Sequence, residues 1–253
     1  MNKKLIMNKY FYEVFENIPR QGPGTVDATL KALNSIKSRL PGQTAILDIG
    51  CGKGVQSIIL AQNTEGSITV LDNHQFFLDC VRDKAEKGGF GDRFKYVNAD
   101  MSNLAFNTEE FDILWAEGSI FVIGIKAGLK QWKKHIRQNG FLVLSDLLWL
   151  SDNRPAELTE YFENECMYVL TVDEALEEAR KNGYSVIDHF TLPLEGWTTE
   201  FIDHETRVIA DLRNKYKNIP EAISTFDAIQ YESAIVKKYL GYFGYEFLIL
   251  CNS

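Results

Sequence analysis

The stretch Ile46-Leu47-Asp48-Ile49-Gly50-Cys51-Gly52-Lys53-Gly54 limits the fold more than any other part of the chain. A short apolar run with one acidic residue meets glycines at alternate positions. Val55, Ile58, Ile59 and Gln62 then follow at helical spacing. A strand that turns through glycines into a helix presents backbone N–H groups with no Cβ to hold a ligand away. The spacing excludes two other turns of this kind. A dinucleotide fingerprint needs G-x-G-x-x-G. A phosphate loop ends in Gly-Lys-Ser/Thr, whereas Gly54 is followed by Val55 and Gln56.

The turn opens an alternating series. Ser67–Leu71, Arg93–Asn98, Phe111–Trp115 and the nearly continuous apolar run Phe141–Leu150 read as further strands. One helix carries Phe76, Phe77, Cys80, Val81, Lys84 and Ala85 and stops at Gly88-Gly89. Another is marked by Ile125, Leu129, Trp132 and Ile136 and stops at Asn139-Gly140. Such alternation implies a parallel sheet with right-handed crossovers. A helix over Thr171–Asn182, a sixth strand over Tyr184–Thr191 and a last strand over Tyr242–Cys251 complete the series.

Two flanking regions depart from it. Residues 1–40 form an N-terminal helical segment, with a Gly22-Pro23-Gly24 turn, Thr25 or Asp27 as cap, and Leu30, Leu33 and Ile36 on one helix face. Residues 192–241 are far more than a hairpin needs. Trp197, Phe201, Val208 and Leu212, then Ala222, Phe226, Ile229, Ser233, Val236 and Leu240, mark two amphipathic helices there. This insertion is either a lid or an interface, and the whole chain, 1–253, reads as a single domain.

The net charge of −8 argues against a nucleic-acid partner. The one dense basic cluster (Lys126, Lys130, Lys133, Lys134, His135, Arg137) suits a solvated helix end, where cations complement the dipole. Cys51, Cys80, Cys166 and Cys251 are scattered without metal-ligand spacing, as reduced thiols of a cytoplasmic protein would be, and no metal site is expected. Met1–Met7 lacks the apolar run of a signal peptide, and no segment has the apolar length of a membrane span.

The acidic-x-Gly-x-Gly-x-Gly turn closely resembles motif I of the class I S-adenosylmethionine-dependent methyltransferases, and the resemblance covers residues 40–150. It implies an α/β, Rossmann-like class I methyltransferase fold. That fold is a seven-stranded, mostly parallel sheet with helices on both faces, and the last strand is antiparallel beside the sixth. It also implies S-adenosylmethionine as methyl donor and S-adenosylhomocysteine as product. Ligands of such sheets lie beyond the carboxyl ends of the strands. The resemblance sets the backbone of Gly50, Cys51 and Gly52 against the methionine part of the donor and gives Asp48 a water-mediated part in orienting its ammonium. Asp72 ends the second strand about twenty residues past the glycines, where a carboxylate accepts from both ribose hydroxyls. Asn73 and Phe77 are candidates to pack on the adenine. By the same resemblance Asp100 accepts from the adenine amine while the Met101 N–H meets the ring; the alternative for Asp100 is a solvated cap.

Glu117, after the fourth strand, has three roles open to it: partner of the donor's ammonium, acceptor contact, or base. His204 in the insertion and His189 at the sixth strand are candidate bases, with ordinary polar residues as the other reading. Gln21 and Gly22 are candidate neighbours of the donor or acceptor. Ala116-Glu117-Gly118-Ser119 stands where nucleic-acid amino-methyltransferases carry N/D-P-P-Y/F, so the chain looks like the stand-alone small-molecule group. The expected activity is methyl transfer to a small-molecule acceptor by a monomer or homodimer, with no membrane partner. The alternatives are a catalytically inactive S-adenosylmethionine-binding protein and a dinucleotide-dependent oxidoreductase. The acceptor atom is open: an acidic cavity would indicate an amine, an apolar slot a flat or lipidic molecule.

Overall fold

Seven strands form one sheet: β1 (Ile46–Ile49), β2 (Ile68–Asp72), β3 (Phe94–Asn98), β4 (Phe111–Glu117), β5 (Ile136–Trp149), β6 (Tyr184–Thr191) and β7 (Phe243–Asn252). Their order is β3-β2-β1-β4-β5-β7-β6. All neighbours pair in parallel except β7, which runs antiparallel to both β5 and β6. This is the sheet implied by the resemblance, with the seventh strand beside the sixth. The computed structural model describes residues 8–165 and 167–253; Met1–Met7 and the thiol of Cys166 lie outside the described residues.

Nine helices lie among the described residues: α1 (Lys9–Asn17), α2 (Val26–Asn34), α3 (Val55–Asn63), α4 (Gln75–Lys87), α5 (Ile125–Trp132), α6 (Ala156–Asn164), α7 (Val172–Lys181), α8 (Asp203–Lys215) and α9 (Pro220–Tyr239). Successive side chains on a strand face opposite ways, which sorts the core into two layers. Ile46, Val70, Trp115, Val143 and Ile249 share one cluster with Leu33, Leu60 and Leu78 from α2, α3 and α4. Leu47, Leu114, Leu142 and Leu250 share the other with Leu129 and Leu176 from α5 and α7. A third cluster is not visible in the sequence pattern: Tyr10, Phe11 and Val14 of α1 pack on Ile209, Leu212, Phe226 and Ile229 of α8 and α9. The two flanking regions therefore meet each other.

Three expectations need correction. Ile136 belongs to β5 and not to the helix before it, because the chain tightens at Lys133–His135 and Ile136 then pairs with Phe111. The register slips between Phe111 and Ile113, and Gly140 fits there because a Cβ would stand 2.8 Å from the Asp112 carbonyl. The basic cluster nearby is partly engaged: Lys133 donates to the carbonyls of Asn182 and Gly183, Arg137 pairs with Asp112, and His135 is buried. Helix α6 is an addition, and it shows weakly in sequence because only Leu158 and Phe162 are buried along it. The insertion begins with a wide turn at Thr198–Ile202 before α8, so its first helix is not continuous from Trp197. Helix α7 begins as its sequence suggests, with Thr171 and Glu174 forming a reciprocal cap. No described helix is long and apolar enough to cross a membrane.

Candidate active site

The glycine turn lies at the carboxyl end of β1, an inner strand between β2 and β4. Gly50, Gly52 and Gly54 all have left-handed φ, at 71°, 50° and 72°, a region that costs an L-residue about 1–2 kcal/mol. Each is also crowded. A Cβ on Gly50 would stand 2.5 Å from the Ser119 Cβ, and one on Gly52 would stand 2.8 Å from Oε1 of Gln21. The turn hangs from β2 through Gly50 and Cys51 N–H bonds to the Leu71 carbonyl, at 2.8 and 3.1 Å. These left-handed glycines form a tight cradle in which a Cβ at any of the three positions would collide with a neighbouring side chain.

Asp72 closes the next side of the cradle. Its Oδ2 accepts from the Gly52 N–H at 2.9 Å and its Oδ1 from the His74 N–H at 2.9 Å. Burial raises its pKa from the ordinary value, and those two bonds oppose the rise. Each oxygen keeps a free lone pair, so the carboxylate can still accept from two adjacent hydroxyls. Met101 reaches the same turn, its Cε lying 3.2 Å from a Cβ on Gly50, while its carbonyl accepts from Trp132 Nε1 at 3.2 Å. The structure thus brings Gly50, Cys51, Gly52, Asp72 and Met101 together.

Other candidates take different places. Asp48 is fully buried under the turn, where Ser57 and Gln56 donate to its two oxygens. Burial pushes its pKa up to about 7. It ties β1 to α3 and does not face a ligand directly. The Cys51 thiol is buried and held well above its ordinary pKa by burial, so it is a packed, protonated group. Asp100 is exposed and accepts from the Ser102 N–H at 2.7 Å, which lowers its pKa: the solvated-cap alternative describes its present contacts. Asn73 is exposed, and Phe77 is buried against the His74 ring at 4.6 Å.

Glu117 is committed elsewhere than any of its three expected roles. It forms a buried ion pair with Arg20 and accepts from Thr29 Oγ1 and Trp115 Nε1, each at 2.8 Å. A carboxylate with these donors holds the N-terminal turn to the sheet and is a poor free base. Gly24 wraps the guanidinium, since a Cβ there would lie 2.4 Å from Arg20 Nε. His189 lies on edge strand β6, separated from β4 by β5 and β7, and bonds Glu246 at 2.6 Å. It is not brought to the turn. His204 is partly exposed on α8, and its neighbour Glu205 is the residue that lines a cavity.

Several contacts have no signal in the sequence. Gln21 does sit at the turn: it accepts from the Lys53 N–H at 2.7 Å and donates to the Phe15 and Ile18 carbonyls. Lys53 Nζ binds the carbonyls of Glu16 and Ile18, both at 3.0 Å, where the end of α1 leaves acceptors unpaired. Above Asp72, His74 bonds Glu16 at 2.7 Å and stacks on Tyr12 at 4.4 Å. Helix α1 and the turn after it therefore form a strap over the glycine cradle.

Beside the strap lies a cavity of about 50 Å³ between α1, the turn at 198–202, α8 and α9. Phe15, Trp197, Phe201, Glu205 and Glu232 are among its walls. Two series of contacts link its walls to the region of the cradle. Phe15 is bonded to Gln21, and Trp197 packs edge-on against Tyr245 at 4.6 Å. The Tyr245 ring in turn lies over Gly118, leaving 2.8 Å to a Cβ there.

Comparison with known proteins agrees with this geometry. Residues 46–140 match the family described as a methyltransferase domain. The sequence is similar to a sterol 24-C-methyltransferase of Neurospora crassa, 22% identical over 153 residues covering 57% of this chain and 40% of that protein. It is also similar to the 27-O-demethylrifamycin SV methyltransferase of Amycolatopsis mediterranei, 27% identical over 125 residues, 48% of this chain and 46% of that one. The chain thus spans less than half the length of these curated relatives. Among solved structures, it resembles a SAM-dependent methyltransferase of Geobacter sulfurreducens in complex with S-adenosyl-L-homocysteine. The TM-score is 0.83 at 18% identity, over 98% of this chain and 100% of that one, a likeness of fold.

Proposed function

We propose that this chain, a class I S-adenosylmethionine-dependent methyltransferase by its family match and its sheet, transfers the donor's methyl group to a small molecule. The observation that carries the reading is the cradle at the end of β1, where left-handed glycines stand beside a carboxylate with free lone pairs. The donor residues in this reading are Gly50, Cys51, Gly52, Asp72 and Met101, with Asn73 and Asp100 at the open adenine side. Asp48 and Glu117 act one step back, fixing the turn and the strap.

The bound donor supplies an electrophilic methyl group on a sulfonium centre. The protein's own work is alignment and exclusion of water. In this reading the Cβ-free backbone of the turn packs against the donor at one end, and the Asp72 carboxylate binds it at the other. The strap of α1, Gln21 and Arg20 covers the cradle, and the helical insertion closes the adjoining cavity where an acceptor would sit. The relatives act on a sterol 24-C position and a 27-O position by their names, so neither fixes the acceptor here.

Calorimetric titration with S-adenosylmethionine tests this. Saturable binding at a one-to-one ratio is expected, and the absence of binding by folded protein would overturn the reading.

A further inference from the structure

The cavity beside the strap carries a chemical signature that the family match does not. Phe15, Trp197 and Phe201 supply aromatic surface. Glu205, 2% exposed, is bonded by the Ser233 hydroxyl, and Glu232 has no hydrogen-bond or ion-pair partner among the described residues. Glu232 is exposed to solvent and also lines this cavity. No lysine or arginine lines the cavity. A second group there also lacks a partner: the Trp197 indole, 5% exposed, has a buried N–H that meets no acceptor. Buried polar groups are normally paired, so the orphaned indole N–H points to a ligand that brings an acceptor, and the two carboxylates around the same space favour one that is also a cation.

Resting on the proposed methyl transfer, we infer that this cavity is the acceptor site and that the acceptor is a small amine bearing an oxygen that receives the Trp197 N–H. A cation is the ligand that aromatic faces and carboxylates select together. Lack of a cationic side chain among the lining residues disfavours a phosphorylated or multiply anionic acceptor. Burial pushes the Glu205 carboxyl up to about 7, with the Glu232 charge raising it further and the Ser233 hydroxyl and Lys237 opposing the rise. Two carboxylates at one space are suited to bind a cation and to take a proton from it.

The step balances on these groups. The ammonium of the acceptor gives a proton to the Glu232 carboxylate and frees the nitrogen lone pair. That pair forms the bond to the methyl carbon while the methyl–sulfur bond breaks, its electrons remaining on sulfur as the thioether. The nitrogen leaves cationic and the carboxylic acid releases its proton to solvent.

The test uses the whole chain saturated with S-adenosylhomocysteine and a probe that mimics the methylated product, tetramethylammonium. Its neutral isostere, tert-butanol, is the control, and tryptophan fluorescence reports binding. The expected result is saturable binding of the cation, weakened at least tenfold in Glu232→Gln with unchanged S-adenosylhomocysteine affinity, and no comparable response to tert-butanol. Equal binding of the neutral probe, no binding of the cation, or full cation affinity in Glu232→Gln with Glu205→Gln would overturn the amine inference alone. Failure to bind S-adenosylhomocysteine would instead overturn the methyltransferase reading beneath it.

Discussion

The glycine cradle and the adjoining cavity differ in how their polar groups are paired. In the cradle and under it, the donors and acceptors largely answer one another. Asp48 is met by Ser57 and Gln56, Asp72 by two backbone N–H groups, and Glu117 by Arg20, Thr29 and Trp115. In the cavity, Glu232 and the Trp197 N–H have no such partners among the described residues. The first region is held in shape by its own bonds. The second leaves its bonding capacity for something else. A carboxylate count alone would have treated the two alike.

Substitutions should separate them. The largest effect is expected at Glu117→Ala, which leaves the buried Arg20 guanidinium uncompensated and should cost about 3–5 kcal/mol in urea unfolding. A loss below about 1 kcal/mol would mean that the strap is not fixed by this pair. Next comes Asp72→Ala. Loss of hydrogen bonds to a charged acceptor, about 1.5–3 kcal/mol, should weaken donor binding by roughly ten- to a hundredfold in calorimetry. Unchanged affinity would remove Asp72 from the donor site.

Asp48→Asn tests the support beneath the turn through pH. The folded pKa of about 7 lies above the ordinary 3.8, so between those values the folded chain keeps a proton that the unfolded chain has released. The Asp48 contribution is therefore most favourable below 3.8, falls as pH rises, and levels off above about 7. Unfolding free energies measured from pH 4 to 7.5 should show a shallower decline in Asp48→Asn than in the parent, and an identical slope would contradict this placement. The smallest stability effect is expected at Glu232→Gln, within about 0.5 kcal/mol, as for a side chain outside any structural bond. A cost like that of Glu117→Ala would erase the contrast and make the cavity carboxylate structural.

How legible each region is in sequence follows from the range of its interactions. The turn is local: Gly50, Gly52 and Gly54 need left-handed backbone, and their spacing records that need within a few residues. Asp72 sits one β-α-β unit further on, at a distance the parallel sheet fixes. The strap is another matter. Arg20 and Glu117 are far apart in the chain, and nothing about either residue names the other. Glu117 therefore reads as a free acidic group until its partner is seen. Ile136 fell at a helical step from Trp132 by coincidence, and only its pairing with Phe111 shows it to be strand. Glu232 lies among the polar residues of α9, where a solvated face is the ordinary reading; the cavity that it borders requires α1, α8 and the 198–202 turn together.

The position of β7 has a consequence for assembly. Strand β6 pairs in the sheet with β7 alone, although it precedes β7 in the chain by the whole helical insertion. Its backbone groups find their sheet partners only when the final strand slides between it and β5. The Tyr245 ring, which joins the cavity to Gly118, arrives on that same strand. Closing the sheet and joining the two halves of the site are thus one long-range event, of the kind that sets the pace of folding. A chain stalled before it would hold a formed glycine turn with no finished chamber beside it.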